Sequence, residues 1–512
     1  MRNRQTLAIG FAVVLAADMF ARSTWAQAPT TADKINPPVA NCNMTKDFVV
    51  ISNPSDPAHQ TFQSQPVTAA LLKSGQPCHQ VADNKSGLFG DNGLANLQHG
   101  FDFYSWLTFV ALNSPADGKI IGKGLRPGGD AQTMWESLKN YRPLADVMLA
   151  DGSKPTWGTR NVPPPCKKLD GPGKIVLQVG EASWNQPFKT GPLIDQDSNY
   201  ALFDILMNKP MFDFIVQNGL YSKQGQERFD NDIIFPSGEN PKGATPGKMG
   251  AVMVKVSWRI LDAAKDKDLM SKFHTADALV FFPGPPATKA GPACVEKKLG
   301  LIGFHVGHKT LFAPQWVWTS FEHVNNVPTE ADVAAGTLLD RYSFFDKNCK
   351  DCSRNVTPPD PWDPPTSLKF HSEHRSQVVR TKILPGPVVS EVQDLNRDFR
   401  AVLKGTVWEN YELLTTQWPS DHASKTDCNG APAPTYMANT TLETYSQGRV
   451  PLASSSCMSC HGNATTQHVP ATPSDFTFIL EKAQCENGKC GPPAAGKQSA
   501  KSNCGFAVTA PR

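Results

Sequence analysis

Two hydrophobic periods alternate along this chain. Residues 101–113 (FDFYSWLTFVALN) are almost continuously apolar and long enough for a buried helix. Residues 131–140 (AQTMWESLKN) predict a short amphipathic helix with Met134, Trp135 and Leu138 inward. Residues 199–218 read as helix, broken or kinked at Pro210, with Phe203, Leu206, Phe212 and Ile215 buried. The period then changes. Over residues 251–258, Val252, Val254, Val256 and Trp258 alternate with Met253, Lys255 and Ser257, the pattern of a half-buried strand. Residues 175–179, 276–282, 299–308 and 315–324 are further strand candidates, and short Gly/Pro turns between some of them predict an antiparallel sheet. Residues 396–418 return to three- and four-residue spacing through Phe399, Leu403, Val407, Tyr411, Leu414 and Trp418, the clearest helical pattern in the chain. Residues 440–447 predict one or two helical turns, and 476–483 a last short helix capped by Ser474 or Asp475. The expected fold class is α+β: an antiparallel sheet with surrounding helices, plus a small helical segment near the C-terminus.

Length and composition narrow the setting. The chain has 512 residues, 40% apolar and 19% charged, with a net charge of +3. That charge is too small to argue for nucleic acid or an anionic membrane as partner. The first 28 residues read as an export signal: Arg2 and Arg4, an apolar run over 7–17, and small residues around Ala26 and Ala28 for cleavage. The apolar run is too short to span a bilayer, and no other stretch approaches 18 apolar residues. After the signal, the expected organisation is a disulfide-tied N-terminal arm over 29–95 and an α+β domain with the antiparallel sheet over 96–395. A helical region over 396–484 and an irregular tail over 485–512 complete it.

The chemistry concentrates in Cys457-Met458-Ser459-Cys460-His461, a C-x-x-C-H sequence. This is the attachment signature of c-type haem. One short turn places two thiols for thioethers on the porphyrin edge and an imidazole under the iron. With 12 Cys and 12 His in the chain, roughly 0.006 chance matches are expected, so the motif is read as a site for one covalent haem c. Ten other cysteines remain, at 42, 78, 166, 294, 349, 352, 428, 485, 490 and 504. An even remainder in an exported chain predicts disulfides. Cys349-x-x-Cys352 is followed by Ser353 and not His, so it is read as a plain disulfide and not as a second haem site or a zinc half-site.

His461 is the expected proximal iron ligand. The opposite axial position is open, because no Met follows Met458. His305, His323 and Met437 are distal candidates, and His308 and His468 weaker ones. His305 and His308 lie three apart, which places them on opposite faces of a strand. Glu322-His323 reads as a surface pair, or as acid/base groups beside an open iron. Trp316 and Trp318 read as core packing on one sheet face. Asn-x-Thr tripeptides occur at Asn43, Asn355, Asn439 and Asn463; they matter only in a glycosylating host.

Several stretches resemble large, exported bacterial mono-haem proteins of the cytochrome c family. They are WLTFVALN (106–113), MWE (134–136), VKVSWRIL (254–261), FHVGHKT (304–310), WVWTSFEHVNNVP (316–328), NTTLETY (439–445), SCMSCH (456–461) and DFTFIL (475–480). The resemblance spans residues 100–483 and implies a single covalent haem and a periplasmic location, with no assigned substrate. Two functions follow. The first is single-electron transfer with a periplasmic redox partner protein, favoured by the absence of a catalytic constellation. The second is a haem enzyme of peroxidase or oxygenase type acting on a small molecule, favoured by the size of the upstream part. A haem-based sensor is a third, weaker option.

Overall fold

The computed structural model describes residues 48–53, 56–64, 67–69, 71–73, 75–77, 93–116, 132–178, 190–239, 247–283, 292–310, 313, 315–359, 374–381, 386–419, 432–447, 456–468 and 471–490. Among the described residues the helices are α1 (Gly93–Leu112), α2 (Lys209–Gln217), α3 (Lys223–Arg228), α4 (Glu330–Ala335), α5 (Gly386–Val402) and α6 (Cys457–His461). A hairpin of β1 (Phe48–Asn53) and β2 (Asp56–Ser64) stands apart from the main sheet. That sheet contains β3 (Tyr141–Pro143), β4 (Ile175–Gln178), β5 (Leu202–Asn208), β6 (Val252–Leu261) and β7 (Thr275–Phe282). It continues with β8 (Ala293–His308), β9 (Val317–His323), β10 (Tyr411–Pro419) and β11 (Pro432–Ala433). Its main path runs β11-β10-β9-β8-β6-β5-β3, while β7 pairs with the first half of β8 and β4 with β7. Every pairing is antiparallel except β4 with β7. The fold is α+β, a large antiparallel sheet with helices against it.

The alternation along β6 decides what each face of the sheet meets. Val252, Val254, Val256 and Trp258 join Phe304, Val306 and Phe321 beneath Trp106 and Phe109 of α1 and Phe399 of α5. Trp106 stacks on Phe399 with ring centroids 4.8 Å apart. α1 is buried on nearly all sides because it packs against the sheet, α5 and β2, which explains its unbroken apolar run. Its few polar side chains reach the sheet: Gln98 donates to Thr415 Oγ1 at 3.1 Å, and Ser105 and Thr319 hydroxyls meet at 2.6 Å.

The opposite face was expected to be solvated. It is covered instead: Met253 packs with Met207, Trp316, Trp318, Met437 and Met458. β6 is therefore buried on both faces, and Lys255 is its one half-buried residue. The cover comes from α2, the stretch over 229–235 and the segments over 432–447 and 456–490. Residues 396–418, expected as one helix, divide: α5 ends at Val402, Gly405 takes φ 83°, and the chain re-enters the sheet as β10. Residues 199–218 also divide. β5 occupies the first part, and Asn208 then caps α2 by accepting from Met211 N. Pro210 sits in the first turn of α2, where its missing N–H costs nothing, so it starts the helix instead of kinking it.

Smaller corrections have local causes. Residues 132–140 hold turns instead of a helix: the Glu136 carboxylate accepts from Thr133 N at 2.8 Å and Thr133 Oγ1 at 2.9 Å, and Trp135 alone of the three expected inward residues is fully buried. The C-terminal helices are 3-10 turns, Thr444–Ser446 and Phe478–Lys482. Neither Ser474 nor Asp475 caps the second, since Ser474 Oγ donates to the Thr477 carbonyl. Cys349–Cys352 is bridged as expected, as are Cys166–Cys294 and Cys485–Cys490. Cys42, Cys78, Cys428, Cys504 and the expected export signal lie outside the described residues. Among the described residues, no helix is long and apolar enough to cross a membrane.

Candidate functional site

The C-x-x-C-H sequence forms α6, laid across the second face of the sheet. Ser456 caps it, accepting from Ser459 N at 3.3 Å. Gln417 of β10 pins its start: Gln417 Oε1 accepts from Met458 N at 2.9 Å and from Ser456 Oγ at 3.1 Å. Within the single turn, Cys457, Cys460 and His461 are all half-buried. Both thiols are free, whereas every other cysteine among the described residues is bridged. Burial and the nearby Glu443 carboxylate raise both thiol pKa values, that of Cys460 to about 12.

His461 is held on three sides. Its ring lies 4.5 Å from Trp318 and 5.1 Å from Phe478, centroid to centroid. Its Nδ1 donates to the Phe476 carbonyl at 2.8 Å. A carbonyl only accepts, so the proton sits on Nδ1 and Nε2 keeps its lone pair. Burial lowers the pKa of His461 to about 4, with the Phe476 contact opposing, so the imidazole is neutral at pH 7.

A second polar group faces the motif from the sheet. Gly303, His305 and Gly307 of β8 share the face opposite Phe304 and Val306. His305 Nε2 lies 3.1 Å from Glu443 Oε2, and Glu443 also accepts from Asn439 N at 2.9 Å. Lys255 is directly across the ladder from His305. Burial lowers the Lys255 pKa, while Glu443 and the thiols of Cys460 and Cys457 counteract. Burial pushes Glu443 up, but His305, Lys255 and the Asn439 amide outweigh it and hold its pKa below the ordinary value.

The structure thus brings His305 to the motif. Met437 is buried in the same apolar cluster as Met458 and Trp318. His323 is elsewhere: both its nitrogens are occupied, Nε2 donating to the Lys272 carbonyl at 3.0 Å and Nδ1 accepting from Asn325 N at 3.1 Å. It stacks on Phe273 on the α1 side of β9, the face away from Trp318. His308 also points to the α1 side, against the Tyr104 hydroxyl, as its three-residue offset from His305 requires. His468 is half-buried and faces the charge of Glu227. Glu322 and His323 are not a surface pair. Both are buried and on opposite faces, and Glu322 binds Arg380 Nη2 at 2.8 Å and Thr440 Oγ1 at 2.7 Å.

Sequence reasoning missed Lys255, Glu443 and Gln417 as neighbours of the motif, and it preferred core packing for Trp318 over a place beside a haem. Lys255 carried a signal, as the one charge between flanking valines in the apolar centre of β6. Nothing local marked Glu443 or Gln417. Compared with known protein families, curated proteins and solved structures, the chain matches none.

Proposed function

We propose that Cys457 and Cys460 carry one covalently attached haem c, that His461 is an axial ligand of its iron, and that the protein transfers single electrons in the periplasm. The observation that carries this reading is the His461 Nδ1–Phe476 carbonyl bond beside two unbridged cysteines. Iron-binding histidines are oriented this way, with the far ring nitrogen committed to an acceptor. The donor set fits. A porphyrin supplies four nitrogens itself, so the chain need offer only thiols and axial groups. Accordingly, the absence of a group of three or more His, Cys, Asp and Glu set to hold a metal ion, among the described residues, does not bear against it. The Trp318 Nε1 proton, buried beside His461 without an acceptor among the described residues, is an orphaned donor that a propionate could satisfy.

Bound there, haem supplies a one-electron couple. The chain holds a neutral His461 in one tautomer and keeps the ring from turning between Trp318 and Phe478. Three disulfides among the described residues support an oxidising compartment. They accord with the likeness to large exported mono-haem cytochromes, of which we propose this chain is one.

A haem enzyme is the second reading, and the His305–Glu443 contact beside Lys255 favours it. That group can hold and move a proton at His305 Nε2, which peroxide chemistry at an open iron needs. An absorption spectrum of protein made with a c-type maturation system separates the two. A low-spin spectrum indifferent to carbon monoxide supports the carrier; a high-spin spectrum shifted by carbon monoxide or peroxide supports the enzyme. His461→Ala should lose the proximal ligand, and an unaltered spectrum in that variant refutes the assignment.

A further inference from the structure

Behind the Phe476 carbonyl lies a buried ion pair. Lys309, one residue beyond the end of β8, and Asp475 are both fully buried, and Lys309 Nζ contacts Asp475 Oδ2. The same oxygen accepts from Phe235 N at 2.7 Å. The Asp475 backbone carbonyl accepts from Trp316 Nε1 at 3.0 Å. Asp475 is thus tied at three points to three separate parts of the chain.

The turn it belongs to needs that restraint. Ser474 O accepts from Thr477 N at 3.1 Å, and the two residues between have φ of 51° (Asp475) and 62° (Phe476). Both lie in the left-handed region, where a hairpin-type turn of this kind favours Asn and Gly. A bulky Phe there carries strain on the order of 1 kcal/mol. Backbone strain that persists has to be held by its surroundings, and it concentrates where geometry serves function. Here the unusual turn has one identifiable product: it aims the Phe476 carbonyl at His461 Nδ1.

We infer that Lys309 and Asp475 are positioning residues that set the strength of the His461–Phe476 hydrogen bond, and through it the reduction potential of the iron. The inference rests on the haem reading given above. A strong acceptor at Nδ1 gives the imidazole anionic character and favours ferric iron; loosening the turn weakens that acceptor and raises the potential. Simple loss of stability would not shift the couple in this direction.

The test uses the full-length haem-loaded protein, with midpoint potentials for the wild type, Asp475→Ala, Lys309→Met/Asp475→Asn and Lys309→Arg. Asp475→Ala should shift the ferric–ferrous equilibrium toward ferrous iron by about tenfold, which is about 59 mV for one electron. The double variant replaces the ion pair by a neutral pair, a change that buried sites often tolerate; it should fold and shift the same way by a smaller factor. Lys309→Arg keeps the charge pair and should retain the wild-type potential. Asp146→Asn, which breaks the buried Arg142–Asp146 pair near edge strand β3, should lower the melting temperature and leave the potential alone. Haem-loaded Asp475→Ala or double variants at the wild-type potential overturn this inference while leaving the haem reading intact. A wild-type protein without covalent haem overturns both.

Discussion

Gly303 and Thr441 meet where the 439–445 segment lies on the sheet, so closely that no side chain fits between them. A Cβ on Gly303 would press on Thr441 Oγ1 and stand 2.5 Å from Ser257 Oγ. Thr441 and Ser257 hydroxyls meet at 2.8 Å, and Thr441 Oγ1 donates to Asn439 Oδ1 at 2.8 Å. Three short, buried and mutually hydrogen-bonded side chains, Thr441, Ser257 and Asn439, surround the position, so relief requires the segment to lift. Gly303→Ala is expected to cost about 1–3 kcal/mol of stability. It should also displace Glu443 from His305. Denaturant unfolding reads the first effect, and a changed proteolysis pattern within 439–445 reads the second.

Glu322 anchors the same segment from β9. Its carboxylate is fully buried and takes the Thr440 backbone amide, the Thr440 hydroxyl and the Arg380 guanidinium. Arg380 also binds Glu412 at 2.9 Å. Arg380→Met leaves a buried carboxylate without its cation, and about 3 kcal/mol of stability should be lost. The Arg380→Met/Glu322→Gln double variant should recover part of that loss, and a double-mutant cycle by chemical denaturation measures the coupling.

His323 makes stability depend on pH. Burial lowers its pKa to about 3, with the Lys272 carbonyl contact opposing. The unfolded chain takes up that proton near pH 6.5 and the folded chain does not. Its contribution is therefore fully present above pH 6.5 and is lost as pH falls from 6.5 toward 3, at up to about 1.4 kcal/mol per pH unit. In His323→Gln the slope over that window should be shallower, as read by unfolding midpoints at about pH 4, 5 and 6. An identical slope in the variant would remove His323 from the account.

His305 and Glu443 distinguish the two functions by effect. If the protein is a carrier with another sixth ligand, Glu443→Gln should leave the spectrum low-spin and cost little in electron-transfer rate. If it is a peroxidase-type enzyme, the same change removes a proton route, and reaction with peroxide should slow by about 100-fold or more. Stopped-flow mixing of the ferric protein with peroxide reads this directly.

Much of the fold was legible because β6 keeps a strict period of two and β8 does so on either side of a bulge at Ile302. The alternation gave Val252, Val254, Val256 and Trp258 one face, and the offset of His305 from His308 put one histidine on each side. The region from Phe399 to Trp418 was misread because a helix followed by a turn and a strand can imitate one continuous stripe. Phe399 and Leu403 belong to a helical end, whereas Tyr411 and Leu413 alternate along a strand. Only Gly405, whose φ of 83° ends the helical run, marks the change. At the candidate site, the C-x-x-C-H sequence was visible directly because its five residues are adjacent, and they form α6. Gln417, Glu443 and Phe476 were not, because each acts through a backbone or side-chain contact closed only by the tertiary fold.

The most direct measurement is the intact mass of the mature protein made alongside a c-type maturation system, followed by mass mapping of the peptide that contains residues 457–461. One haem bound through Cys457 and Cys460, lost together in Cys457→Ala/Cys460→Ala, is the expected result. A polypeptide of unmodified mass whose two motif thiols both react with an alkylating agent after unfolding would contradict the account.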